Sequence, residues 1–131
     1  MAGISCIVVT PEETVLDEKA DSVVVPLFDG ELGIGSRHSP MIGRLGYGEL
    51  RLRIGDKIQR FYVDGGFVEV VGDVVTVLTN QAILTTDVDL EQSRSQLAEA
   101  NKLPIATNEQ LEIRERRMAQ ARGKIRLAER E

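Results

Sequence analysis

A chain of 131 residues with 42% hydrophobic and 28% charged side chains has the make-up of one soluble globular domain, or one domain with a small appendage. Its net charge of -5 gives no general attraction for polyphosphate or anionic lipid, and 4% aromatic residues without Trp leave little for a base-stacking surface. The single cysteine, Cys6, excludes an internal disulfide framework and fits a reducing compartment, with the thiol packed as a small apolar filler beside Ile4 and Val8.

The chain opens on an apolar run, Ile4 to Val9, that lacks a basic leader and is stopped by Pro11, Glu12 and Glu13, so it reads as a strand and not as a targeting segment. No stretch approaches the roughly 18 apolar residues needed to span a bilayer, and a soluble, cytoplasmic protein without direct membrane insertion is expected. Val15, Leu16 and Ala20 suggest a second strand, and Ser22 to Val25 a third, closed by Pro26. Gly30-Glu31-Leu32-Gly33-Ile34-Gly35 has the look of a phosphate loop, but it lacks the Lys-Ser/Thr ending and precedes no helix. It is predicted to be a turn using positive φ.

From Gly48 to Ile54 the residues alternate, with Leu50, Leu52 and Ile54 on one face and Glu49, Arg51 and Arg53 on the other, as in a sheet with one wet side. Gly55-Asp56 turns the chain back into Lys57 to Val63, and Gly72-Asp73 repeats the plan between Phe67–Val71 and Val74–Leu78. Short strands at this spacing, with no helical pattern between them, predict a sandwich or barrel over residues 1–86.

The pattern changes at residues 87–131, where Ala, Glu, Gln, Leu and Arg dominate. Asp89 with Gln92, and Thr107 with Gln110, fit capping boxes on either side of Pro104, and predict a helical hairpin of about 89–102 and 108–130. Its apolar stripes are thin: Leu90, Leu97, Ala98 and Ala100 on the first helix, and Leu111, Met118 and Ile125 with Ala121 and Ala128 on the second. Burying two such faces gains only a few kcal/mol, which barely opposes the cost of ordering roughly forty residues, so the hairpin is expected to be labile. Residues 108–131 carry a net charge of +2 on an otherwise acidic chain, which suits a solvated face laced with Glu–Arg pairs or a helix that docks on an acidic surface.

Catalytic parts are scarce. His38 is the one histidine, far in sequence from Cys6, and no cluster of zinc ligands or nucleophile elbow is present. An enzyme is not expected, and a hydrolase would need His38 to be essential.

The run Asp29-Gly30-Glu31-Leu32-Gly33-Ile34-Gly35-Ser36-Arg37-His38-Ser39-Pro40, followed by Met41, Ile42, Leu45 and Gly46-Tyr47-Gly48, closely resembles the glycine-rich loop of the F-type ATP synthase epsilon-subunit family. Val8-Val9-Thr10-Pro11-Glu12, Ala20 to Pro26, Tyr62 to Val70, Val74 to Leu78 and Asp89-Leu90 continue the likeness, so it covers essentially the whole chain. It implies a mainly β fold: a ten-stranded sandwich of two five-stranded sheets (1–86), then an antiparallel helical hairpin (87–131). It also implies a non-catalytic central-stalk subunit without a cofactor, peripheral on the cytoplasmic face of the bacterial inner membrane. The sandwich of such a subunit joins gamma to the c-ring for proton-driven ATP synthesis, and Glu31, Gly33, His38, Pro40 and Met41 are the implied partner contacts. The hairpin restrains ATP hydrolysis when extended, with Arg114, Arg116, Arg117 and Arg122 near carboxylates of the catalytic alpha and beta subunits.

Some bacterial members bind ATP on the folded hairpin through Ile-Asp-x-x-Arg-Ala-x-x-Ala-x-x-Arg. Leu90 to Asn101 keeps Arg94 and Ala98, has Glu91 for the Asp and Asn101 for the second Arg. With one of two phosphate-facing cations lost, Glu91 and Arg94 are left as a weak nucleotide site at most. The competing reading is a stand-alone β-sandwich adaptor whose basic helix binds an acidic partner or nucleic acid; no nucleic-acid partner is expected under the first reading.

Overall fold

A computed structural model describes residues 3–130. These form ten strands, a short 3-10 turn and two helices, in two compact units divided between Leu84 and Thr85. The first unit holds β1 (Ile4–Val9), β2 (Thr14–Ala20), β3 (Ser22–Leu27), β4 (Gly30–Ile34), β5 (Met41–Arg44), β6 (Tyr47–Ile54), β7 (Lys57–Asp64), β8 (Phe67–Val71), β9 (Val74–Leu78) and β10 (Ala82–Leu84). They build two five-stranded sheets, ordered β2-β1-β9-β8-β5 and β10-β7-β6-β3-β4, and so the predicted sandwich.

The alternation seen in the sequence is the inward–outward alternation of the sheets. Ile4, Cys6 and Val8 of β1 point inward with Val68, Val70, Val75 and Val77, and meet Val23, Val25, Leu50, Leu52, Phe61 and Val63 from the second sheet. Every pairing between named strands is antiparallel except β1 with β9, which run parallel with Ser5 opposite Val74. The Gly30–Gly35 run departs from the predicted turn. Gly30 to Ile34 is strand β4, paired along β3 from Leu27 to Val23, and only Gly30 has a positive φ, 148°. Leu32 and Ile34 supply the alternating apolar pair that makes it a strand, and β3 correspondingly runs through Pro26 to Leu27.

Cys6 lies in the centre of this core, fully buried. Burial, and secondarily the charge of Glu18, push its thiol from an ordinary 9.0 up to about 12. The unfolded chain then loses this proton at lower pH than the native chain. Stability is thus unaffected below pH 9 and falls through the window from 9 to about 12, by at most about 1.4 kcal/mol per pH unit. Tyr62 is raised in the same direction by burial and by Asp64, and adds its own loss above about pH 10. Urea unfolding at pH 8, 9 and 10 should show the early decline in the natural chain and a shallower one in Cys6→Ala; equal slopes would refute the assignment.

The second unit holds the 3-10 turn Thr85–Asp87, α1 (Leu90–Asn101) and α2 (Asn108–Arg130). Asp89 caps α1, its carboxylate accepting the Gln92 N–H at 3.0 Å. At α2 the box is reciprocal: Thr107 Oγ1 accepts the Gln110 N–H at 3.1 Å, and Gln110 Oε1 accepts the Thr107 N–H at 3.1 Å. Ala100, Met118 and Ala121 are buried as the stripes predict, and so is Leu127, which they do not include. Leu111 and Ala98 face solvent.

Candidate functional site

The connection Gly35–Pro40 carries the chain from β4 in one sheet to β5 in the other, and so lies at an edge of the sandwich. Arg37 takes left-handed backbone there, with φ 62°, and donates its N–H to Asp73 Oδ1 at 3.0 Å. His38 is half-buried, and its Nδ1 donates to the Ser39 carbonyl at 2.8 Å. A carbonyl can only accept, so Nδ1 carries a proton in this contact. Pro40 is exposed, whereas Met41 turns inward and packs on the core; its neighbour Ile42 is the outward residue, 73% exposed.

Glu31 and Gly33 do not belong to this connection. Both sit on the outward side of β4, where Glu31 accepts two hydrogen bonds from Arg51, at 3.0 and 3.3 Å. Arg51 also reaches Glu49 at 3.0 Å, and Arg60 reaches the same Glu49 oxygen at 3.1 Å. The result is a ladder of alternating charge, Glu31–Arg51–Glu49–Arg60, across the outer face of the second sheet. Glu49 is almost fully buried and is met by two guanidinium groups.

The outer face of the first sheet is chemically different. Phe67 (56% exposed) stands opposite Leu78 (50%), Val71 opposite Val74, and Ile42 opposite Glu69. Strand β1 runs alongside and brings half-buried Val9 next to Leu78. Large apolar side chains in register over three strands are unusual on a free surface and typical of one that another protein covers.

In the helical unit the four arginines do not converge. Arg114 Nη2 donates to Asn101 Oδ1 at 2.8 Å and so ties α2 to the last residue of α1. Arg116 is exposed, and Arg117 lines a cleft of about 480 Å³ with Gln92, Ser95, Gln96 and Glu99. Arg122 lines a second cleft, of about 330 Å³, with Arg94, Leu97, Asn101 and Met118. Among the described residues no group of three or more His, Cys, Asp or Glu could hold a metal ion, and no helix is long and apolar enough to cross a membrane.

Residues 3–85 match the model of the ATP synthase Delta/Epsilon chain beta-sandwich domain. The ATP synthase epsilon chain of Rhodopirellula baltica is 50% identical over 124 residues, covering 95% of this chain and 97% of the relative. The chain belongs to the ATP synthase epsilon-chain family. The epsilon chain of Halalkalibacterium halodurans is 39% identical over 92% of this chain and 91% of its own. The fold is shared with chains of the Euglena gracilis mitochondrial ATP synthase (OSCP/F1/c-ring), with TM-score 0.73, 24% identity, 98% of this chain and 77% of the other. It is shared as well with the Tetrahymena thermophila central stalk/c-ring, with TM-score 0.76, 15% identity, 95% and 96%. As an epsilon-family member it is a non-catalytic accessory subunit of the synthase.

The hairpin positions that the nucleotide pattern names are dispersed. Glu91 is exposed and lines neither cleft, Asn101 stands where the pattern has its second arginine, and Glu129 approaches Arg94 to 3.6 Å with opposing charge. Arg122, singled out only for its charge on α2, is the residue that the hairpin brings to the Arg94 cleft. The apolar outer face and the Arg51 ladder escaped the motif-based reading. Alternation marks Phe67 and Leu78 as sharing a face, but it does not say which face is left uncovered.

Proposed function

We propose that the chain is the rotor subunit linking gamma to the c-ring in a proton-driven F-type synthase, with a hairpin that restrains ATP hydrolysis. The observation that carries it is the apolar outer face formed by Phe67, Leu78, Val71, Val74 and Ile42, on a sandwich whose core is complete without those residues. This face is the docking surface for gamma. The edge with His38 and Pro40, and the outward Glu31, meet the polar loops of the c-ring, a surface where hydrogen bonds and charge suit better than apolar area. That the relatives reported above are synthase chains, two of them bacterial, supports a peripheral place on the cytoplasmic face of a bacterial inner membrane.

The hairpin's role follows from its construction. Few large apolar side chains hold α1 to α2, and exposed Arg116, Arg117 and Arg122 are available for carboxylates of the catalytic subunits when the helices extend. The test is to add the chain to epsilon-depleted synthase and measure ATP-driven proton pumping and ATP hydrolysis. The full chain should restore pumping and slow hydrolysis; a chain ending at residue 86 should restore pumping while hydrolysis stays fast. Equal hydrolysis with both would remove the restraining role, and no recovery of pumping with either would remove the docking role.

A further inference from the structure

The crossover Gly35–Pro40 contains an oddity that its docking role does not explain. Among the described residues Arg37 is the one non-glycine with a positive φ, a conformation in which Cβ crowds the following carbonyl and which an arginine does not choose on its own. Something must hold it. Its N–H is taken by the carboxylate of Asp73, 36 residues away in the β8–β9 turn. Asp73 is itself anchored: its carbonyl accepts the Ser5 N–H at 2.7 Å, and Val71 pairs with Val74 on either side of it. The carboxylate therefore projects from a fixed point where β1, β8 and β9 meet, and an N–H to carboxylate bond is among the stronger ones a backbone makes.

We propose that Asp73 is the positioning residue of the c-ring-facing edge: by capturing the Arg37 amide it holds the left-handed turn that sets how His38 and Pro40 are presented. The inference rests on the docking reading above. Asp73 touches no partner in this account and acts only through the Arg37 backbone. Its loss frees residue 37 to return to ordinary backbone, which re-aims the next residue, His38. Glycine at 37 reaches the same φ without help, so it should make Asp73 dispensable.

Four full-length variants test this by titration into epsilon-depleted synthase, reading the concentration that half-restores proton pumping. Asp73→Ala should raise it about fivefold with the melting temperature of the free chain little changed, because the lost bond is exposed. Asp73→Asn keeps an acceptor oxygen and should stay within about twofold. Arg37→Gly should bind like the natural chain, and Arg37→Gly/Asp73→Ala should be no worse than Arg37→Gly. If Asp73→Ala binds normally, or weakens binding as much with glycine at 37 as with arginine, the proposal is overturned. Amide hydrogen exchange of Arg37 in the free chain separates the two readings. Should the natural chain itself fail to restore pumping, the docking reading fails, and the tether stands or falls on whether Asp73→Ala speeds that exchange.

Discussion

Gly66→Ala is expected to leave the chain unfolded, or to lower its melting temperature by roughly 15 °C or more. Gly66 sits where the chain leaves β7 in one sheet for β8 in the other, with φ 102°, a region closed to residues with a side chain. A Cβ there would overlap the Leu78 carbonyl oxygen, and would lie 2.9 Å from the Leu78 carbonyl carbon and 3.0 Å from Thr79 Cα. All three are backbone atoms of the neighbouring strand end, so no side chain can swing away. The peptide cannot shift either without losing the bond from the Leu45 N–H to the Gly66 carbonyl, 2.8 Å. Strain and clash together put the cost at about 4 kcal/mol or more, a large share of the stability of a small domain. Gly33→Ala is the control: β4 has room on that side, with nothing within 4 Å of a new Cβ, and its change should stay within about 0.5 kcal/mol. Urea unfolding of both measures the difference, and similar losses at the two sites would show that the steric argument is wrong.

Phe67→Glu/Leu78→Lys should weaken binding to gamma at least about 100-fold while leaving the sandwich folded. The two residues are directly paired across β8 and β9, both half-exposed, so neither substitution opens a hole in the core. Opposite charges directly across an antiparallel pair contribute about 0.2–1 kcal/mol, which offsets part of the lost apolar contact between strands. At an interface the balance reverses. Two apolar side chains worth roughly 1.5–3 kcal/mol each when fully buried are replaced by two charges that must be dehydrated. Binding of the variant to a gamma–c-ring subcomplex, with melting of the free chain alongside, separates the two effects. Normal affinity for gamma would move the docking surface off the outer face of the first sheet.

Much of the architecture was legible locally. The turns at Gly55-Asp56 and Gly72-Asp73 close β6–β7 and β8–β9 as read, because a two-residue turn and the alternation flanking it are properties of neighbouring residues. Both helix starts follow their capping residues, since those bonds span only three positions. Glycine misled at β4, where the alternation of Leu32 and Ile34 outweighed the turn propensity of Gly30, Gly33 and Gly35. Met41 and Ile42 show a second limit. Both are apolar, and which one turns inward depends on the pairing of Met41 with Val70 and Ile42 with Glu69 on a strand 27 or more residues later.

Periodicity and turn chemistry by themselves determined a β sandwich or barrel with a capped helical hairpin after it, because these signals are local; the likeness of the Asp29–Pro40 run to the epsilon-subunit family is what narrowed it to a sandwich. Only the tertiary structure decided which apolar and charged side chains are left exposed together. The parallel seating of β1 beside β9 puts Val9 next to Leu78. The order β6-β3-β4 lets Arg51 reach across to Glu31, and the β8–β9 turn brings Asp73 under Arg37. Each joins residues 20 to 69 positions apart, and such pairings are set by how whole strands bury their apolar sides against one another, which no short window of sequence records.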